Sequence, residues 1–350
     1  MNDVKQRAKN AMIGLAIGDS ISWTAMFNRS FLLPEWTRRK RREIELASES
    51  TDVITPPMPF SLNQDATHFD ISPTHNTEWA AFTAEIILSK GDVFSKDHWN
   101  SKWIKLAESK DPVRGSVGLK TALHNLQNGI LPPQCGKENP HYFDDSALSR
   151  AVPIGVFCFG KPDDAIRITE IDASITNSED GVWAAQAMAI AISLVCVGED
   201  ILDAIEIGRQ SLPESSWTRR LVDEAIKITE YSDSIFSVLP ELNNKIVNRE
   251  YSYGNIAPET LALTFAIAKL HGSNFENAVT TASSFAKSGE TLPAMVGALV
   301  GASQSNIIAS ETWLKSIEKL KGICIPSFSG KNYLELIERL SNLGERSGVK

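Results

Sequence analysis

The sequence predicts an all-α, multi-helix orthogonal bundle forming a single domain over residues 1–350, and three observations carry that expectation. Apolar residues recur at i, i+3, i+4 and i+7 along most of the chain, the period of one-sided helices. Alternating apolar–polar runs of strand type are nearly absent. Stretches rich in Ala, Gly and Ser at 181–194 and 294–303 leave little side-chain bulk between neighbouring helices. The chain has 350 residues, 42% hydrophobic and 22% charged, an ordinary globular composition that excludes a disordered or fibrous protein.

Met12, Leu15 and Ala16 carry the first helix, which ends at Gly18-Asp19. Residues 28–75 read as a long irregular segment, a length that is usually functional or disordered. Its basic run, Arg38 to Arg42, fits either a phosphate-binding patch or nuclear signal, or a solvated helix whose acids Glu43 to Glu49 balance it. Trp79, Phe82, Thr83, Ile86 and Ile87 mark the next helix, and Trp99 and Trp103 share one helical face, the usual signature of core. A helix over 115–129 carries His124, read as a packed or surface histidine. Residues 130–147 read as a second long loop. Helices follow over 163–174, 181–197, 199–210, 217–229, 258–271, 274–286, 292–304, 310–320 and 331–343. The most apolar stretch, Ala184 to Val197, includes Gln186 and Ser193 and falls short of the roughly 20 residues a bilayer requires, so it reads as a buried helix.

A net charge of −8 argues against a dedicated nucleic-acid binder, which needs a basic footprint. Cys135, Cys158, Cys196 and Cys324 are scattered, with no CxxC pair, and read as buried, reduced thiols. No secretory signal pattern opens the sequence, so a cytoplasmic protein with neither a nucleic-acid nor a membrane partner is expected. The absence of GxGxxG and P-loop motifs leaves dehydrogenase and kinase readings without support.

The informative features are five polar loops that adjoin apolar helices: Gly14 to Ser20, Pro73 to Trp79, Asp144 to Arg150, Asp172 to Gly181, and Lys287 to Ala302. Each has a bland reading. Glycine with aspartate ends many helices. Asn76 or Thr77 can cap a helix with Glu78 in its first turn, His75 can bond locally, and Asp144-Asp145 can be an N-cap pair.

Taken in order, the five resemble the ADP-ribosylglycohydrolase family. Gly14 to Ser20 is similar to its G-L-A-x-G-D-A helix end. Thr74, His75, Asn76 and Thr77 stand where it has T-D-D-T. Ala147, Arg150 and Pro153 match its G-N-G-A-x-x-R-x-x-P segment, Thr176-Asn177 matches its T-H loop, and Ala286 to Ala302 matches its closing G-G-D-T-D-T-I-A-A-x-x-G-A-x-x-G-A run. The resemblance implies an all-α hydrolase that cleaves an N- or O-glycosidic bond to ADP-ribose or a related ribosyl group, acting on an ADP-ribosylated protein or a ribosylated small molecule. It also implies two Mg²⁺ or Mn²⁺ ions, held by the positions of Thr74, His75, Asn76, Glu290 and Thr291.

Here the motif aspartates are His75, Asn76, Ser288 and Glu290, a further family glutamate falls at Met26, and the T-H histidine is Asn177. Three lost negative charges should weaken or abolish Mg²⁺ binding, because affinity follows ligand charge. Three readings stay open: a hydrolase with a remodelled site using one ion or a softer metal, a divergent hydrolase relying on Asp19, Asp144, Asp145 or Glu78, or a catalytically inactive member that binds ADP-ribose or a protein partner. The candidate catalytic residues are Glu290, Asp19 and Asp145. Those for binding substrate are Trp23, Asp144, Asn177 and Ser288.

Overall fold

A computed structural model describes residues 2–22, 72–230, 235–248, 250–251, 254–272, 274–285 and 287–347. Among them are sixteen α-helices and no strand, only the isolated bridges Asp144–Ile256 and Lys319–Asn332. In chain order the helices are α1 (Asn2–Ile21), α2 (His75–Leu88), α3 (Lys96–Ala107), α4 (Val117–Gln127), the single turn α5 (Gln134–Lys137), α6 (Ser146–Phe157), α7 (Pro162–Ala173) and α8 (Asp180–Cys196). They continue as α9 (Ile201–Ser211), α10 (Trp217–Ile228), α11 (Ile235–Ile246), α12 (Ala257–His271), α13 (Phe275–Ala282), α14 (Leu292–Ser303), α15 (Glu311–Ile317) and α16 (Tyr333–Ser347).

α8 is apolar on nearly all sides and buried along its length, packed by α6, α7, α9 and α12. At its crossing with α6, a Cβ at Gly155 would lie 2.7 Å from the Ala189 carbonyl oxygen, so glycine sets the approach. The most extensive packing joins α1 to α14. A Cβ at Gly14 would come within 2.0 Å of the Gly297 carbonyl oxygen, and one at Gly18 within 2.0 Å of that of Pro293. These contacts bring the C-terminal end of α1, with Asp19, onto the N-terminal end of α14.

Two expectations change. The 130–147 loop contains α5, and Ser146 already lies in α6, because Cys135 and Ala147 bury apolar surface there. The sequence reading assigns no helix to 235–246, where Pro240 interrupts the pattern. α11 forms nonetheless, since burial of Val238, Leu239, Leu242 and Ile246 offsets the lost backbone bond. Trp99 and Trp103 are fully buried, with Trp103 stacked on Trp79 at 5.7 Å, while His124 is exposed. All four cysteines are free and buried. No helix among the described residues is long and apolar enough to cross a membrane. Most of the 28–75 segment, with its basic run, lies outside the described residues, as do Trp23 and Met26.

Candidate functional site

Five helices are closed by a side chain at their N-cap. Ser116, Asp200, Ser216, Asn274 and Ser310 each accept a backbone N–H of the first turn that follows. Three of the helices that begin at motif loops are different. Thr74, Asp145 and Thr291 occupy the N-cap positions of α2, α6 and α14, and none makes a side-chain cap bond. Their polar groups reach across to other segments.

Thr74 reaches Asp19. The Asp19 carboxylate is fully buried and accepts five hydrogen bonds. Thr74 N–H (2.6 Å), Thr77 N–H (3.1 Å) and Thr77 Oγ1 (2.8 Å) donate to Oδ2; Thr74 Oγ1 (2.9 Å) and Asn76 Nδ2 (3.4 Å) donate to Oδ1. The positive end of α2 thus closes on an acid supplied by α1, and neither Asn76 nor Thr77 acts as a cap. Asn76 Nδ2 also donates to the Glu290 carbonyl oxygen at 2.9 Å, so the second and fifth motif loops touch. His75 lies between two acids, with Nδ1 3.7 Å from Asp19 and Nε2 3.8 Å from the Glu290 carboxylate, which is 32% exposed at the rim.

Asp145 forms the other wall. It accepts a hydrogen bond from Thr260 Oγ1 at 2.8 Å. Burial first, then the charges of Asp144 and Glu290, push its carboxyl up to about 7 against the pull of Thr260 and Thr291. Asp144 is held by Ser116 Oγ (2.6 Å), the Ser146 N–H (3.1 Å) and Asn177 Nδ2 (3.1 Å). Asn177 also donates to the backbone carbonyl oxygens of Tyr142 and Asp144, which fixes the 142–145 turn. Arg150, fully buried, pins the same region through Asp172 (2.8 Å) and Thr176 Oγ1 (2.7 Å). Among the described residues, Ser288 Oγ and Asn255 Oδ1 are buried without a hydrogen-bond partner, while Asn255 Nδ2 reaches Thr291 Oγ1 at 3.4 Å.

Glu78 faces elsewhere. Its carboxylate takes the consecutive N–H groups of Ile323 (2.8 Å), Cys324 (2.7 Å) and Ile325 (3.0 Å), and burial pushes its carboxyl up. It is an anchor for the C-terminal segment.

Several site residues escaped the sequence reading. Lys287 Nζ donates to both oxygens of Glu259 (2.8 and 2.9 Å) and to the Asn248 carbonyl oxygen, a buried ion pair that ties the start of α12 to the fifth loop. Burial pushes the Glu259 carboxyl up against the pull of Lys287. Tyr251, hydrogen-bonded to His141 Nδ1, stands near Asp144 and Asp145; burial and those charges push its phenol up to about 12. Tyr251 to Pro258 is a sixth polar loop entering an apolar helix, so the rule that found the other five extends to it.

A separate surface cleft of about 660 Å³ lies between the start of α1 and the end of α14, lined by Asp3, Lys5, Lys9 and Asn306 among others. Its lysines are already paired with Glu338, and it lies away from the motif loops.

The metal positions implied by the resemblance do not fit a pair of hard divalent ions. Such ions need several free carboxylate oxygens. Asp19 is saturated by donors, Asn76 directs an N–H₂ group inward, and Ser288 and Thr291 contribute neutral oxygens, leaving Glu290 among the motif positions with a carboxylate. Among the described residues no group of three or more His, Cys, Asp or Glu side chains is arranged to hold a metal.

The fold is similar to that of a solved structure described as an ADP-ribosylglycohydrolase-related protein complex. The two share 17% identity and a TM-score of 0.60 over 98% of this chain and 100% of that one. No curated protein matches the sequence. The profile of the family described as ADP-ribosylglycohydrolase matches residues 1–349, essentially the whole chain. With its motif loops gathered at one site on an all-α scaffold, the chain belongs to the ADP-ribosylglycohydrolase family.

Proposed function

We propose that the protein hydrolyses an N- or O-glycosidic bond at the anomeric carbon of ADP-ribose or a related ribosyl group, using two carboxyl groups in place of a two-ion clamp. The observation that carries this reading is the contrast between Asp145 and Glu290. Asp145 is buried, and burial with the charges of Asp144 and Glu290 pushes its carboxyl up to about 7, which favours a proton on it at neutral pH far more than on a free aspartate. Glu290 sits at the solvent edge on the opposite motif loop. Two carboxyls in unlike environments are the usual basis for dividing acid and base roles.

In this scheme a water oxygen attacks the anomeric carbon, Glu290 takes the water proton, and Asp145 protonates the leaving nitrogen or oxygen as the glycosidic bond breaks. Asp19 positions the start of α2 and touches no reacting atom. Ser288 and Asn255 offer the buried polar atoms that a ribosyl hydroxyl can satisfy. The substrate is an ADP-ribosylated protein or a ribosylated small molecule.

The test is release of ADP-ribose from arginine- and serine-linked ADP-ribosyl peptides, followed by chromatography. E290Q should lower turnover by about 100-fold or more, the range of general acid–base groups. An unchanged rate in an active preparation removes Glu290 from the mechanism. A second reading, binding without cleavage, is favoured by the saturation of Asp19. On that reading no ADP-ribose is released, and E290Q leaves ADP-ribose affinity by calorimetry within a few-fold.

A further inference from the structure

We propose that the His75-Asn76 dipeptide is an internal replacement for a divalent cation: the Asn76 carboxamide makes the cross-link between motif loops that an ion would otherwise make. Three acceptors from three parts of the chain converge on Asn76 Nδ2. They are Asp19 Oδ1 at the end of α1 (3.4 Å), the Glu290 carbonyl oxygen before α14 (2.9 Å), and His75 Nε2 at the start of α2 (2.9 Å). Convergent lone pairs around one electropositive centre are what a bound ion demands. Here an amide N–H₂ supplies two protons to the two contacts at 2.9 Å, with Asp19 Oδ1 a longer third at 3.4 Å.

The neighbours fit the exchange. With Asn76 donating to His75 Nε2, a neutral imidazole carries its proton on Nδ1, toward Thr74 Oγ1 (3.3 Å) and Asp19 Oδ1 (3.7 Å). The ring therefore donates inward too. Asp19 accepts two further bonds from Thr77 and two from Thr74, so admitting an ion on Asp19 means surrendering bonds already made. The loops are held by neutral donors and the site needs no divalent ion to be assembled. This goes beyond the proposed hydrolysis and stands whether or not a bond is cleaved.

The experiment compares the full-length protein with N76D and N76A by thermal melting in EDTA and in millimolar Mn²⁺, with Mn²⁺ binding followed by electron paramagnetic resonance. The unaltered protein should melt at the same temperature in both buffers and show no saturable Mn²⁺ signal. N76D exchanges the donor for an acid beside Asp19 and should melt lower in EDTA, recover by at least about 2–4 °C with Mn²⁺, and bind Mn²⁺ saturably. N76A, which removes the cross-link without adding charge, should melt lower in both buffers and ignore Mn²⁺. Saturable Mn²⁺ binding by the unaltered protein overturns the proposal, as does an N76A that melts like the parent. A folded N76D that is indifferent to Mn²⁺ overturns it as well. If N76D fails to fold, the other two proteins still decide.

Discussion

Asp145 carries a dependence on pH whose sign follows from its surroundings. A carboxyl raised from 3.8 to about 7 in the folded chain binds its proton more tightly there than when unfolded. Its contribution to stability is therefore full below about pH 4 and is lost as pH rises toward 7. D145N keeps an oxygen to accept from Thr260 and carries no charge. Above pH 7 it should be more stable than the parent by on the order of 2–4 kcal/mol, and the gap should close below pH 4. Urea melts at pH 4 and pH 8 measure this, and a pH-independent gap would contradict it. At this scale the sequence reading reached the residues that sit in ordered motifs. The structure brings Asp19, Thr74, His75, Asn76 and Glu290 together, and sets Asp144 beside Asn177 and Asp145 beside Thr291 and Glu290. What it could not reach were partnerships made only in three dimensions. Nothing local to Lys287 announces that its charge is buried on Glu259, and Glu78 reads in sequence as an ordinary first-turn acid until its partners 245 positions away are known.

Helices were legible wherever one face is apolar, and less so where proline or a nearly uniform run of apolar residues hides the period, as in α11 and α6. Their ends were legible only in part. Thr74, Asp145 and Thr291 stand at N-cap positions, but their side chains are used across the site, and no rule of local sequence foretells that diversion. The contact between α1 and α14 is the element on which the site depends most. An added Cβ at Gly18 would meet the backbone of Pro293 and Ala294, which cannot rotate away. Gly18→Ala should cost roughly 3 kcal/mol or more, in the range of severe overpacking. Chemical denaturation tests this, and a cost below about 1 kcal/mol would show that the two helices can slide apart freely. A milder loss of ADP-ribose binding should accompany it, because Asp19 lies one residue on.

On the scale of the whole molecule, the C-terminal segment belongs to the same structure as the first helices. Glu78 holds Ile323 to Ile325, and the buried Tyr333 hydroxyl donates to the Met12 carbonyl oxygen at 3.1 Å. A chain cut after residue 321 would leave the Glu78 carboxylate buried without those donors, at a cost of several kcal/mol. It should lose its cooperative melt by calorimetry, and retention of the parental transition would show that the segment is dispensable. The meeting of the two ends has a further consequence in time. Asn76 contacts Glu290 across 214 positions, and Arg7 contacts Ser303 across 296. During synthesis the Asp19 and His75 segments emerge first and must wait on the order of ten seconds or more for residues 287–303 at ordinary elongation rates. Throughout that interval the glycine-lined face of the first helix lacks the helix it packs against. The Asn76–Glu290 contact between the second and fifth motif loops therefore forms only once the last third of the chain has been made.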